Sequence, residues 1–287
     1  MSCYKCSLKP AEGVLVQTSN LWNTNSVVIT GIGRESKATL VVDPGWFPEE
    51  ITALQAAAAA TPPGGATHLF FTHGDFDHVV GWEDFPGAQL IAHAKAVERD
   101  AEATEKRVAD LDRRNGTVRL RQYRYPPAAA FTSPSSLDLG GETIRFFPAP
   151  GHQADALFTV LPERHLLVAG DYLSDEEFPF IYYSLAHYRS TLLLARELCV
   201  TYGIAKEVPG HGQVAPSPVE IEYRISTDLD YLDRLESSVA SAKTDGLDTE
   251  GAVDRLADFT FRGQPISGLA RAHADNIRFL YGHRIEE

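Results

Sequence analysis

Cysteine is scarce in these 287 residues: there are three, an odd number, with Cys3 and Cys6 close together and Cys199 far away. No disulfide framework follows from that count. A lone C-x-x-C can begin a zinc site, but it needs a second ligand pair, and none lies beside this one, so Cys3 and Cys6 are read as an incidental pair without an assigned role. Cys199 falls among Leu192, Ala195 and Tyr202 at helical spacing and reads as a small buried hydrophobe. Long apolar runs are missing too. Hydrophobic residues make up 44% of the chain, yet no stretch approaches the roughly 18–20 needed to cross a bilayer, so no membrane association is expected. The first residues, MSCYKCSLKPAEG, contain no apolar run of the kind a secretory signal requires, and a cytoplasmic location is expected.

Positive charge is in short supply. Lys and Arg number 26 against 39 Asp and Glu, for a net charge of −13 and a pI near 5.2. A general grip on nucleic acid needs a basic surface to neutralise phosphates, so no nucleic-acid partner is expected. The densest basic segment, Arg113, Arg114, Arg119, Arg121 and Arg124, reads as a solvated loop or helix face.

Short strands alternate with helices through the first half. Val14–Thr18, Ser26–Thr30, Thr39–Val42, His68–Thr72 and Gln89–Ala92 have strand composition, and residues 51–60 and 94–111 read as helices. After a proline-rich passage from Tyr125 to Pro134 come two hairpin-like units, Leu137–Leu139 with Thr143–Phe147 and Ala156–Leu161 with Leu166–Ala169. Helical periodicity returns over 188–202. It dominates the C-terminus, where Ile221, Ile225, Leu229, Leu232 and Leu235 mark one apolar stripe, and a last helix over 266–282 should turn Leu269, Ile277 and Leu280 inward. Two sheets flanked by helices fit this order of elements.

The most informative segment is Thr72-His73-Gly74-Asp75-Phe76-Asp77-His78, where the apolar strand Leu69-Phe70-Phe71 stops in four potential ligands. Two imidazoles and two carboxylates within six residues at a strand end carry large desolvation and repulsion costs unless cations are bound. Imidazole and carboxylate suit zinc, iron or manganese, and the absence of thiolate argues against a purely structural site.

This segment resembles the H-x-H-x-D-H signature of the metallo-β-lactamase superfamily, with Asp75 where the second histidine usually stands. Further motifs follow in family order: Asp43 in Val-Val-Asp-Pro-Gly, His152 in Pro-Gly-His, Asp171 in Ala-Gly-Asp and His211 in Pro-Gly-His-Gly. The resemblance spans residues ~14–212 and implies an α/β fold, a four-layer αββα sandwich with additional C-terminal helices. Residues 1–215 would be the metallo-β-lactamase-like catalytic core and 216–287 a helical extension packed on it.

By the same resemblance, His73, Asp75 and His152 would hold one divalent ion and Asp77, His78 and His211 a second, with Asp171 shared. The implied activity is that of a dinuclear metallo-hydrolase. The two ions make hydroxide available near neutral pH, and Asp77 is the catalytic residue that orients the attacking water. Asp43 would support the site from behind the ligands. Trp46, Phe76 and Tyr172 adjoin motif residues and, with His187, are candidates for the pocket wall; His68, His93, His165, His273 and His283 are read as surface or packing residues.

Zinc is the favoured ion, with iron or manganese compatible because Asp75 adds a negative charge and a hard oxygen donor. The expected substrate is a small ester, thioester, lactone, amide or phosphoester. A carboxylate at the position of Asp75 also resembles the flavodiiron proteins, so the alternative is an iron-dependent redox enzyme of the same fold, flavodiiron or persulfide dioxygenase-like. A binding module that kept the fold without turnover is the third reading. Oligomeric state and substrate identity are not legible in the sequence.

Overall fold

The computed structural model describes residues 6–60, 64–266 and 268–282, so Cys3 and His283 lie outside it. Seven strands pair in chain order into one sheet: β1 (Cys6–Ala11), β2 (Val14–Thr18), β3 (Asn25–Thr30), β4 (Thr39–Val42), β5 (His68–Phe70), β6 (Gln89–Ile91) and β7 (Phe131–Thr132). The first four are antiparallel, and β4 to β7 run parallel. A second sheet holds β8 (Ser136–Asp138), β9 (Thr143–Pro148), β10 (Leu157–Leu161), β11 (Leu166–Gly170) and β12 (Lys206–Pro209), in the order β12-β11-β10-β9-β8. Its strands are antiparallel apart from the parallel pair β11 and β12.

The helices are α1 (Pro48–Ala59), α2 (Phe76–Val79), α3 (Ala101–Asn115), α4 (Leu185–Thr201), α5 (Pro218–Thr244), α6 (Thr249–Arg255) and α7 (Ala270–Leu280). Local chemistry sets their ends. Ser184 and Ser217 cap α4 and α5 with side-chain oxygens, and Pro218 occupies the first turn of α5, where a missing N–H costs nothing. The single helix expected over 94–111 is two pieces, a 3₁₀ turn at Ala94–Glu98 and then α3. Asp100 takes the cap of α3, accepting from Ala103 N at 3.0 Å. Arg99 before it is extended, which frees its side chain to point elsewhere.

Side chains alternate across a strand, so each sheet has two apolar faces to cover. Val27, Ile29, Leu40, Val42 and Phe70 face the second sheet, meeting Ile144, Leu157, Leu161, Leu166 and Val168. Their neighbours Val28, Val41, Leu69 and Phe71 face outward against Ile51 and Leu54 of α1 and Val108 and Leu111 of α3. On the other side, Phe158, Val160, Leu167 and Ala169 pack under Leu192, Ala195 and Leu198 of α4, Ile221, Ile225, Leu232 and Leu235 of α5, and Ile277 of α7. The result is the expected αββα sandwich with extra C-terminal helices. Leu229, Leu269 and Leu280 are only partly buried at its margin, as is Cys199. Among the described residues no helix is long and apolar enough to cross a membrane.

Phe70 sits between the sheets with its ring 4.8 Å from that of Phe146. Replacing it with alanine opens a cavity in the layer that joins them, and urea unfolding should show a loss of about 3–5 kcal/mol. Val200→Ala, on the exposed face of α4, should change stability by about 0.5 kcal/mol or less.

Candidate metal centre

Five loops meet at one end of the sandwich, each leaving the C-terminal end of a strand: Asp43 after β4, residues 72–78 after β5, His152 after β9, Asp171 after β11 and His211 after β12. After β5 the chain makes a one-turn helix, α2, with Asp75 at its N-cap. That turn is the bent backbone through which the neighbours Asp77 and His78 both reach the centre. Glycines permit the close approach of the loops. Gly170 has φ +63, and a Cβ on Gly210 would stand 1.9 Å from Asp171 Oδ1.

The seven residues converge in two overlapping groups. In the first, Asp75 Oδ2 lies 3.3 Å from both His73 Nε2 and His152 Nε2, and Asp171 Oδ2 lies 3.5 Å from each. In the second, Asp77 Oδ2 lies 3.5 Å from His78 Nε2 and 3.3 Å from His211 Nε2. Asp171 reaches this group as well, with Oδ1 3.2 Å from His78 Nε2 and Oδ2 3.4 Å from His211 Nε2. Its carboxylate therefore stands between the two groups.

Each imidazole is oriented by its other nitrogen. His152 Nδ1 donates to Phe180 O at 2.9 Å and His211 Nδ1 to Trp22 O at 2.9 Å, and carbonyls can only accept. His78 Nδ1 lies 2.8 Å from Asp43 Oδ2. Asp43 also accepts from Thr72 N and Thr72 Oγ1, both at 2.8 Å, so the oxygen of Thr72 is left to accept from His73 Nδ1 at 3.1 Å. All four rings are thus held with Nδ1 on a partner outside the centre and Nε2 turned inward, the orientation in which a neutral imidazole ligates a metal.

A divalent cation fits this donor set. Nε2 of His73, His78 and His152 and Oδ1 of Asp171 are buried without hydrogen-bond partners. Four donors about 2.1 Å from a shared ion in tetrahedral arrangement stand about 3.4 Å apart, which is the spacing seen here. Charge points the same way. Burial alone would lower the imidazole of His152, but the carboxylates of Asp75 and Asp171 outweigh it and lift the group to about 9. His78 and His211 are likewise driven well above their ordinary value against burial, and the carboxyls of Asp75 and Asp171 fall well below theirs. The site calls for positive charge and takes protons when no cation supplies it.

Asp75 has its own compensation. Arg99, freed by the break before α3, places Nη1 2.5 Å from Asp75 Oδ1 and Nη2 3.1 Å from Asp155 Oδ1. Gln153 Nε2 donates to Asp75 Oδ2 at 3.1 Å. One oxygen of Asp75 meets an arginine and the other faces the two imidazoles.

The centre opens into a cleft of about 320 Å³ walled by Trp22, Phe76, Phe180, Tyr182, Leu269 and Ala272, with Arg107 and Glu177 among its polar groups. Of the four residues expected in the pocket wall, Phe76 is there and three are not. Trp46 is buried behind Phe76, ring centroids 6.1 Å apart, because its bulk fills the layer under α1. Tyr172 is buried behind His152: its hydroxyl accepts from His152 N and donates to Ala149 O, both at 2.8 Å. His187 is exposed in the first turn of α4 against Ser184. Sequence reading missed Glu177, which has a carboxylate oxygen within 4.8 Å of donor atoms of Asp171 and His211. Burial raises this carboxyl to about 7. The only hint of it was an acidic residue soon after Asp171. The basic segment proves structural in part, with Arg119 clasping Asp112 and Arg124 reaching Glu105, each at 2.6 Å.

The metallo-beta-lactamase superfamily matches residues 19–211, about two thirds of the chain. No curated protein sequence matches it. Among solved structures, a metallo-beta-lactamase family protein from Thermus thermophilus is 18% identical with a TM-score of 0.63, covering 94% of this chain and 92% of its own. A metallo-beta-lactamase from Pontibacter korlensis is 17% identical with a TM-score of 0.52, covering 77% and 97%. An inverting sec-alkylsulfatase from Pseudomonas sp. is 12% identical with a TM-score of 0.65; 96% of this chain aligns with 49% of that one. At these identities the likeness is one of fold.

The raised imidazoles predict how the metal-free protein responds to pH. A folded-state value of about 9 for His152, above its ordinary value near 6.5, adds stability that is fully present below about pH 6.5 and is lost as pH rises through about 9. His78 and His211 act in the same direction, while the depressed carboxyls add stability only above about pH 4. The melting temperature of chelated protein should therefore fall steadily from about pH 7 to 9.5. Metal-loaded protein should stay level across that range, and parallel curves would contradict this reading of the site.

Proposed function

Starting from the chain's membership of the metallo-beta-lactamase superfamily, we propose that it is a dinuclear metal-dependent hydrolase, with zinc as the ion, acting on a small ester, thioester, lactone, amide or phosphoester. The observation that carries this is the spacing of the inward donors, 3.2–3.5 Å apart with the Asp171 carboxylate between two groups. His73, Asp75 and His152 would hold one ion and Asp77, His78 and His211 the other, with Asp171 shared. Divalent cations held there lower the pKa of water and act as Lewis acids toward a carbonyl or phosphoryl oxygen.

The protein's own part is orientation and charge. Asp77 lines the cleft, accepts from Thr24 Oγ1 at 3.5 Å, and is placed to orient the attacking water. Aromatic side chains of the cleft wall exclude bulk solvent and give an acyl or aryl group an apolar surface. The volume suits a small molecule rather than a polymer. Arg99, shared between Asp75 and Asp155, offsets part of the charge that Asp75 adds and so moves the first group toward the character of a histidine-only set, which suits zinc.

The test is turnover of a panel of aryl esters, thioesters, lactones and bis-nitrophenyl phosphate, with a secondary alkyl sulfate added because of the structural neighbour, each with and without chelator. At least one should be turned over in a chelator-sensitive way, and Asp77→Asn should lower kcat/KM on it by about a hundredfold or more. Absence of chelator-sensitive turnover throughout would count against hydrolysis. Iron without zinc in protein from a host supplied with both would favour redox chemistry, the reading to which the carboxylate of Asp75 lends itself.

A further inference from the structure

We propose that Arg107 is an anion-binding subsite in the wall of the cleft, and that the substrate is an amphipathic molecule with an apolar segment and a carboxylate that takes no part in the reaction. That it is a substrate rather than only a ligand rests on the hydrolase reading above.

The starting observation is an arginine left without a partner in an acidic protein. Acidic side chains outnumber Lys and Arg by 39 to 26, and the arginines near the centre reflect that excess: Arg99 meets Asp75 and Asp155, and Arg271, which shares the cleft wall with Arg107, lies 3.8 Å from Asp275. Arg107 makes no ion pair and no hydrogen bond among the described residues, and its Nε is shut off from solvent with no acceptor. Only the terminal Nη groups, which are not shut off in this way, remain to meet an anion in the cleft.

The side chain is also held in place. Its guanidinium carbon lies 5.2 Å from the centroid of the Phe76 ring. Phe76 is itself fixed edge-on by Trp22 at 5.7 Å and Trp46 at 6.1 Å. In sequence Phe76 lies between Asp75 and Asp77, so one aromatic ring separates the cation from the metal-binding loop. A guanidinium ordered over a ring, with its donors uncommitted, matches a planar carboxylate and loses little freedom in binding it. The cleft wall has apolar surface on Trp22, Phe180, Tyr182 and Leu269, and its acidic Asp275 lies 3.8 Å from Arg271. A ligand that fills the cleft therefore needs hydrocarbon along that wall and a negative end at Arg107.

Calorimetric titration of the zinc-loaded full chain with octanoate and with octan-1-ol separates the anion from the hydrocarbon. The wild-type protein should bind octanoate roughly tenfold more tightly than the alcohol, the scale of one charge-assisted contact at a half-buried site. Arg107→Gln should erase that preference while leaving octanol binding as it was. Arg107 is half-buried on α3, and near-ultraviolet circular dichroism checks that its replacement leaves the packing intact; Arg107→Lys, which keeps the charge, should keep part of the preference. Equal affinity for the two ligands in the wild type, or no binding of either, overturns the subsite. So does a preference that survives in Arg107→Gln, since the carboxylate would then be binding the metal ions directly. None of these outcomes depends on turnover, so a failed substrate panel with an intact Arg107-dependent preference would remove the hydrolase reading and leave the subsite standing.

Discussion

Three carboxylates, those of buried Asp75 and Asp77 and of half-buried Asp171, stand against four imidazoles whose Nε2 atoms have no competing role. Burying so many negative groups together is affordable only when positive charge sits among them. Protons can supply it, as the upward displacement of His152, His78 and His211 shows, but protons leave with rising pH and divalent ions do not. The need to gather and neutralise these side chains accounts for much of the surrounding architecture.

The sandwich meets that need by ending strands of both sheets at one rim and then tying the loops together. Asn25, at the start of β3, donates through Nδ2 to Pro209 O and Gly212 O, holding the loop of His211 against the opposite sheet. Buried Arg224 of α5 donates to Leu173 O and Gln213 O, joining the loops that carry Asp171 and His211, and pairs with Glu220 and Glu207. Burial pushes the Glu207 carboxyl well above its usual range, and the arginine only partly offsets this. The C-terminal helices therefore do more than cover an apolar face. They brace the metal-binding loops, and the start of α7 supplies part of the cleft wall. Gly210 is fixed by the same crowding, because any side chain there would occupy the position of the Asp171 carboxylate.

Much of this was legible in the residues. Density of ligands at the end of Leu69-Phe70-Phe71 pointed to a cation site, and composition located most strands, but β3, β4 and β10 are buried on both faces and carry no alternation that tells inner from outer. The strands that escaped notice had physical reasons to do so. β12 reads Lys-Glu-Val-Pro, and its buried Glu207 is tolerated because Arg224 arrives from a distant helix. β1 carries a proline and lies at a sheet edge, where the missing donor does no harm. Pocket residues were harder, since adjacency to a motif does not say which way a side chain turns: Phe76 faces the cleft and Tyr172 faces the core. Arg99, Arg107 and Glu177 carry no motif at all. Their positions follow from a helix break, an aromatic ring and a loop trajectory that only the folded chain makes visible.

The central claim is that two divalent ions sit in the paired donor groups with Asp171 between them. Diffraction data collected above and below the zinc absorption edge from crystals of the metal-loaded protein test it most directly. The account predicts two anomalous peaks, one bonded to His73, Asp75 and His152 and one to Asp77, His78 and His211, each within about 2.3 Å of the Asp171 carboxylate. A site without anomalous density under zinc saturation, or with density lying off these donors, would contradict it.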